Sequence, residues 1–166
     1  MSLEGHPIVG DVCAECGEPR DRHDRHVRFR LPDPVLGLDE AEREALTWST
    51  DDMMQVQGYG AFIRCLLPVS LTGGYSVTFA VWLGVHPDVL QKAYAVWWEP
   101  EYATLKLSGV LANAIPPWGD QVMAAPAEAV VRDREQLPYI TRSPHAVLSD
   151  VLRREWPHAD VLRMVP

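Results

Sequence analysis

Two apolar runs separated by a glycine turn constrain the fold of this chain more than any other feature. Residues 60–71 and 75–85 each read as a strand, and Thr72-Gly73-Gly74 lies between them. A short connection with paired glycines is typical of a β-hairpin. In the second run every other residue from Tyr75 to Leu83 is apolar, so we expect this face to meet the core. The chain therefore folds around an antiparallel strand pair.

Three further segments carry helix signals. Asp39 and Glu42 have the spacing of a capping box, which predicts a helix over residues 40–47. A second helix is predicted over residues 87–98, because proline suits a first turn and apolar residues recur at helical spacing. Ser143-Pro144 predicts the start of a third helix that ends near residue 155.

Short strands are predicted at residues 104–111, 121–124, 127–132 and 138–141. Helices interleaved with hairpin-linked strands predict an α+β fold, with a mostly antiparallel sheet and two to three helices packed on it. A Cys/His-bearing N-terminal arm precedes it. We expect two regions, the arm over residues 1–37 and a single α+β domain over residues 38–166. The chain has 166 residues, of which 47% are hydrophobic, and this suits one compact core.

Charge and cysteine content restrict the class of partner and the compartment. The net charge is −8, and residues 31–127 hold eleven acidic residues against four basic ones. An acidic body repels phosphate backbones, which argues against nucleic acid and favours a basic protein partner. The start of the chain lacks the pattern of a secretory leader, and the cysteine count is odd. With no apolar run of roughly 20 residues to span a membrane, we expect a cytoplasmic protein.

The N-terminal arm contains a candidate metal site. Cys13 and Cys16 are separated by two residues, a spacing that brings two thiolates to one zinc ion. His23 and His26 are the nearest candidates for the other two ligands, and they predict a structural zinc that staples the arm. Reduced thiols without metal and a redox Cys-x-x-Cys pair remain alternatives.

Tryptophan marks a candidate contact surface. The chain has six Trp residues, and Trp97, Trp98 and Trp118 flank the predicted sheet and its helix. Adjacent residues on a helix cannot both face inward, so we expect one of Trp97 and Trp98 to be exposed at a protein contact. Arg64, in the first long strand, completes the predicted binding surface. We expect it to lie at a sheet edge with its head in water, and a pair with a preceding aspartate is the alternative.

These features favour a non-enzymatic protein-binding or regulatory domain with a zinc-stapled arm, and an immunity-like role would fit its acidic surface. No known catalytic motif is present, so we assign no catalytic residue. Two alternatives stay open. One is a hydrolase or other enzyme that uses Asp51, Asp52 and Arg64, with His86 as a further candidate. The other is an RNA-contacting protein that uses the arginines of the arm.

The order of several short motifs resembles an uncharacterised bacterial family, domain of unknown function 2199. The motifs are Cys13-x-x-Cys16-Gly17, Leu31-Pro32, Glu42-Arg43, Phe62-Ile63-Arg64-Cys65 with Pro68-Val69, Val81-Trp82, Leu111-Ala112-Asn113-Ala114-Ile115-Pro116 and Ser143-Pro144. They extend over about residues 12–156. The resemblance implies a cytoplasmic bacterial α+β domain with a Cys-bearing arm, and it implies no reaction.

Overall fold

The computed structural model describes residues 12–14 and 24–165. Within these residues the strands are β1 (Asp24–Arg28), β2 (Thr47–Ser49), β3 (Met53–Val56), β4 (Gly60–Ser70), β5 (Ser76–Val85), β6 (Lys106–Leu111), β7 (Pro126–Val130) and β8 (Tyr139–Arg142). The α-helices are α1 (Glu40–Leu46), α2 (Pro87–Val96), α3 (Ala146–Arg153) and α4 (His158–Leu162). Short 3-10 turns lie at Asp33–Val35, Thr72–Gly74 and Pro100–Thr104.

The predicted hairpin is confirmed and forms the longest strand pair. β4 and β5 are antiparallel, and their register runs from Ala61 opposite Val85 to Ser70 opposite Ser76. The turn needs glycine, because Gly73 has a φ of 79° and a Cβ there would approach the Tyr75 ring to 2.9 Å. The turn composition that identified the hairpin therefore has a steric cause.

Five strands close into a barrel around this hairpin. β5, β6, β7 and β8 follow one another as antiparallel neighbours, and β8 then pairs with β4 in parallel. The parallel contact sets Leu66 opposite Tyr139, and the Leu66 amide donates to the Pro138 carbonyl oxygen at 2.8 Å. β1 adds to β5 in parallel, whereas β3 and β2 extend the sheet outward from β4.

The predicted fold class is therefore wrong: the chain does not form an antiparallel α+β sheet with two to three helices packed on it. The reason is physical. An open sheet must cover its apolar face with other elements, whereas a barrel covers that face with its own opposite wall. The helices are accordingly short and few, and the strands carry the architecture.

The barrel interior is filled by alternate side chains from each wall strand, as the period of a strand requires. On β4 and β5 the inward positions are Ile63, Cys65, Leu67, Val69, Val77, Phe79, Val81 and Leu83. Leu107, Leu111, Ala127, Ala129 and Ile140 complete the set from β6, β7 and β8. Leu90 of α2 and Leu148 of α3 join the same cluster, so these helices share the main core.

A second, smaller core lies on the outer face of the hairpin. Phe62 of β4 and Trp82 of β5 are buried there with Val35, Met54, Val56 and Ala112. Phe29, Leu31, Leu38 and Leu46 pack against them from the preceding chain. Residues 24–37, which the sequence assigned to the arm, thus supply a strand of the sheet and part of this cover.

The predicted start of α1 is confirmed, whereas that of α3 is wrong. The capping box of α1 is confirmed, with the Glu42 amide donating to Asp39 Oδ1 at 2.8 Å and the Asp39 amide donating to Glu42 Oε1 at 3.2 Å. The predicted start of α3 is wrong, because His145 caps it and the Ser143 hydroxyl instead donates to the Pro126 carbonyl oxygen at 2.6 Å.

Residues 121–124 form turns, not the predicted strand. Among the described residues, no helix combines the length and apolarity needed to cross a membrane.

Gly109→Ala is expected to destabilise the barrel. A Cβ at residue 109 of β6 would overlap the backbone carbonyl of Gly84 in β5 and lie 3.0 Å from Leu83 Cγ. Relieving a backbone overlap requires the two strands to separate, so the free energy of unfolding should fall by about 3 kcal/mol or more. Gly37→Ala is the matched control, because nothing lies within 4 Å of the position that a Cβ at residue 37 would take. Denaturant unfolding with equal midpoints for the two variants would contradict this account.

Candidate functional site

The structure describes two of the four predicted metal ligands, Cys13 and His26. Cys16 and His23 lie outside the described residues. Cys13 is buried at 5% exposure, whereas His26 is exposed on β1 opposite Thr78. No group of three or more His, Cys, Asp and Glu residues that could hold a metal occurs within residues 12–14 and 24–165. The zinc site therefore stays a prediction.

Cys13 contacts a histidine that sequence reasoning did not select. Its Sγ lies 3.2 Å from Nε2 of His158, a residue 145 positions away in the chain and only 3% exposed. The other ring nitrogen, Nδ1, lies 2.8 Å from Thr72 Oγ1 and 3.1 Å from the Thr72 carbonyl oxygen. The Tyr75 ring meets the imidazole edge to face, with centroids 5.2 Å apart. A thiol and an oriented imidazole thus meet in the interior.

Backbone pairing explains how His158 reaches this position. The amide of Trp156 donates to the Ser70 carbonyl, and the amide of Thr72 donates to the Trp156 carbonyl. These bonds attach the chain after α3 to the hairpin turn, and the His158 amide then donates to Thr72 Oγ1 at 3.0 Å. The pairing of residues this distant leaves no periodic signal in the sequence, which is why the histidine was missed.

Three exposed aromatic side chains form a row on the outside of the protein. Trp48 of β2, Tyr94 of α2 and Trp98 just after α2 are 44%, 46% and 66% exposed. Trp48 and Tyr94 meet edge to face at 5.2 Å, and Tyr94 and Trp98 do so at 5.5 Å. Trp98 follows Tyr94 by four residues, which is about one helical turn, and it lies just beyond the last residue of α2. We call these three residues the aromatic row.

The other predicted surface residues are less accessible. Trp97 is half-buried and packs on the main core, with its ring 5.0 Å from that of Tyr102. Trp118 is 8% exposed and lies between Phe79 and Trp156, so it offers little contact area. Of the sequence-selected tryptophans, Trp98 alone joins the aromatic row, and Trp48 and Tyr94 were not selected.

Arg64 lies in the outer core, not at a sheet edge with its head in water as expected. It is 3% exposed, and its guanidinium stacks over the Trp82 ring on the neighbouring strand at 4.3 Å. Its Nη1 donates to the Phe29 carbonyl oxygen at 2.8 Å, and the indole of Trp82 donates to the same oxygen at 3.1 Å. Nε lies 3.5 Å from Oδ1 of Asp52, which is the pair given as the alternative. Arg64 therefore holds residue 29 against the sheet.

Desolvation governs the electrostatics of this pair. Burial raises the pKa of Asp52 above its ordinary 3.8, although the nearby Arg64 and Arg28 act in the opposite direction. Burial, together with repulsion from Arg28, lowers the pKa of Arg64 to about 10. Arg64 therefore remains charged at neutral pH, and the pair is a structural ion pair whose charges cost solvation energy.

The residues of the alternative enzyme do not line a described cavity together. A cavity of about 300 Å³ is bordered by Arg30, Arg43, Glu44, Thr47 and neighbouring residues, and one of about 400 Å³ by Tyr59, Phe62, Val110, Met123 and mostly apolar neighbours. Neither is lined by Asp51, Asp52 or Arg64. His86 instead caps α2, with Nδ1 accepting the Asp88 amide at 3.0 Å.

Arg25 and Arg28, the two arginines of β1, do not share one basic face. Arg25 and Arg28 are three positions apart on β1, so they project to opposite sides of the strand. Arg28 also lies 3.9 Å from Asp52 Oδ1, which partly neutralises it. This arrangement gives no support to the RNA-contacting alternative within the described part of the arm.

The fold and these sites define a small barrel protein with a buried thiol–imidazole contact and an exposed aromatic row. A family described as an uncharacterized protein conserved in bacteria (DUF2199) matches residues 12–156, and the chain belongs to that family. The resemblance seen in the sequence is thereby confirmed. Neither the curated proteins nor the solved structures contain a match. The family description assigns no activity, so the function rests on the site itself.

The pH dependence of stability should reveal the buried Asp52 carboxyl. Because its pKa is raised on folding, the folded protein retains a proton that the unfolded chain releases. Wild type should therefore lose stability relative to Asp52→Asn as the pH rises from below 3.8 through the higher folded pKa. Urea unfolding of both proteins between pH 3 and pH 7 measures this difference. A difference that is constant, or that grows in favour of wild type as the pH rises, would contradict it.

Proposed function

We propose that this protein is a non-enzymatic binding domain that holds a basic segment of another protein against the aromatic row. The observation that carries the proposal is the exposure of three large, mutually packed rings, Trp48, Tyr94 and Trp98. Tryptophan and tyrosine dominate the binding energy of protein interfaces, since they bury much area for little loss of conformational freedom.

The row is arranged before any partner binds. Each edge-to-face contact restricts the ring that makes it, so less side-chain entropy is lost on association. Trp48 is fixed on a strand that pairs with β3, and Tyr94 lies within α2, so ordered backbone supports both rings. This support favours a specific contact over casual exposure of single apolar residues.

Charge indicates the chemistry of the partner. Glu99 and Glu101 are one and three residues after Trp98, and Asp51 is three residues after Trp48. All three acidic residues are exposed, and they belong to the acidic stretch of residues 31–127. Lysine and arginine side chains can stack on indole rings while their charges meet carboxylates. A Lys/Arg-rich segment therefore suits this surface better than an acidic or wholly apolar one.

Trp98→Ala is expected to weaken partner binding while leaving the fold intact. Trp98 has the greatest exposure of the row and is 66% accessible, so its removal opens no cavity in the core. Loss of the most exposed ring of the row should weaken binding by about 30-fold. Quantitative affinity capture from bacterial lysate would identify the partner, and calorimetry with the purified partner would measure the affinity at two salt concentrations.

Tyr59→Ala provides the matched control, because Tyr59 is 45% exposed and lies outside the aromatic row. We expect this variant to bind as wild type does, and we expect affinity to fall with added salt because the attraction is between opposite charges. A purified partner that binds Trp98→Ala within about threefold of wild type would refute the proposal. So would binding that is lost in Tyr59→Ala but not in Trp98→Ala.

A further inference from the structure

We propose that Cys13 Sγ and His158 Nε2 are two ligands of a zinc ion that links the N-terminal arm to α4. The proposal is independent of the aromatic row. It differs from the site expected from sequence, because the histidine ligand comes from the first turn of α4 and not from His26. Both proposed ligand residues are buried, at 5% and 3% exposure.

The separation of the two atoms fits a shared metal. With Zn–S near 2.3 Å and Zn–N near 2.0 Å, a tetrahedral ion holds its sulfur and nitrogen ligands about 3.5 Å apart. Sγ of Cys13 and Nε2 of His158 are 3.2 Å apart, so a small outward movement accommodates the ion between them. Thiolate and imidazole are also the two ligand types that zinc favours.

Thr72 orients the imidazole as the partner of a metal-binding histidine does. A carbonyl oxygen can only accept, so the tautomer that bonds to the Thr72 carbonyl at 3.1 Å carries its proton on Nδ1. That tautomer leaves the Nε2 lone pair directed at Cys13. Histidines that bind zinc commonly donate their other N–H to a backbone carbonyl, which fixes the ring and the tautomer.

Among the described residues, no third His, Cys, Asp or Glu completes a group with Cys13 and His158. Zinc is usually four-coordinate in proteins, so further ligands, a water molecule among them, would complete the coordination that these two residues begin.

Metal analysis of the full chain tests the proposal. Protein purified without chelator should contain about one equivalent of zinc, and both Cys13→Ser and His158→Gln should lose it. Removing zinc from wild type with a chelator should lower Tm by roughly 10 °C, the value expected if free zinc exceeds its Kd about a thousandfold. His26→Gln separates this site from the one expected by sequence, and it should retain zinc.

A ligand exchange keeps the test informative if His158→Gln fails to fold. His158→Cys replaces nitrogen with a second type of zinc ligand, so it should restore metal binding. In Co²⁺-loaded protein it should also strengthen the thiolate-to-metal charge-transfer absorption by one additional thiolate. Less than about half an equivalent of zinc, with no uptake of added zinc, would overturn the proposal. Zinc retained in His158→Gln, or lost in His26→Gln, would overturn it as well.

Discussion

The parallel pairing of β8 with β4 is the contact on which the rest of the structure depends, because it closes five strands into a barrel. Closure decides what the other elements must cover. The inner faces of the wall strands bury one another, so the helices need to cover only part of the core. The chain before β2 is then available for the outer face of the hairpin, where it builds the second core. Without this contact the sheet would be open, and its apolar inner face would require a layer of helices to cover it.

The local elements could be predicted because their causes are local. The hairpin follows from a turn that excludes side chains at Gly73, and α1 follows from reciprocal bonds between Asp39 and Glu42. Closure could not be predicted in this way. Alternation with a period of two is the same whether a strand lies in an open sheet or in a barrel, and the contact of Leu66 with Tyr139 joins residues far apart in the chain. The wrong prediction of Ser143 as the cap of α3 has the same origin, since the Ser143 hydroxyl forms a tertiary hydrogen bond to β7.

The candidate sites were predictable only where exposure follows from local geometry. A helix over residues 87–98 predicted that Trp97 and Trp98 could not both be buried; α2 ends at Val96, before both, and Trp98 is exposed while Trp97 is half-buried. The remainder of the aromatic row depends on β2 lying beside α2, which no pattern near Trp48 indicates. The burial of Arg64, in contrast, could not be predicted from local geometry. A strand buried on both faces gives its arginine an aromatic neighbour, a carbonyl and a carboxylate, and the sequence alone does not distinguish this from a solvated edge.

The hairpin turn connects these observations, because described residues from the N-terminal arm and from the chain after α3 converge on it. β1 runs beside β5 with Asp24 opposite Ser76, and Trp156 pairs with the residues at the end of β4. Cys13 and His158 meet beside Thr72, so a bond at this point would close a loop of 145 residues. Cross-links across long loops restrict the unfolded chain most, whereas they cost the folded state little when the two groups are already in contact. A cross-link at this place would attach the residues before the edge strand β1 to the short helix α4, and both of these parts lie outside the barrel wall.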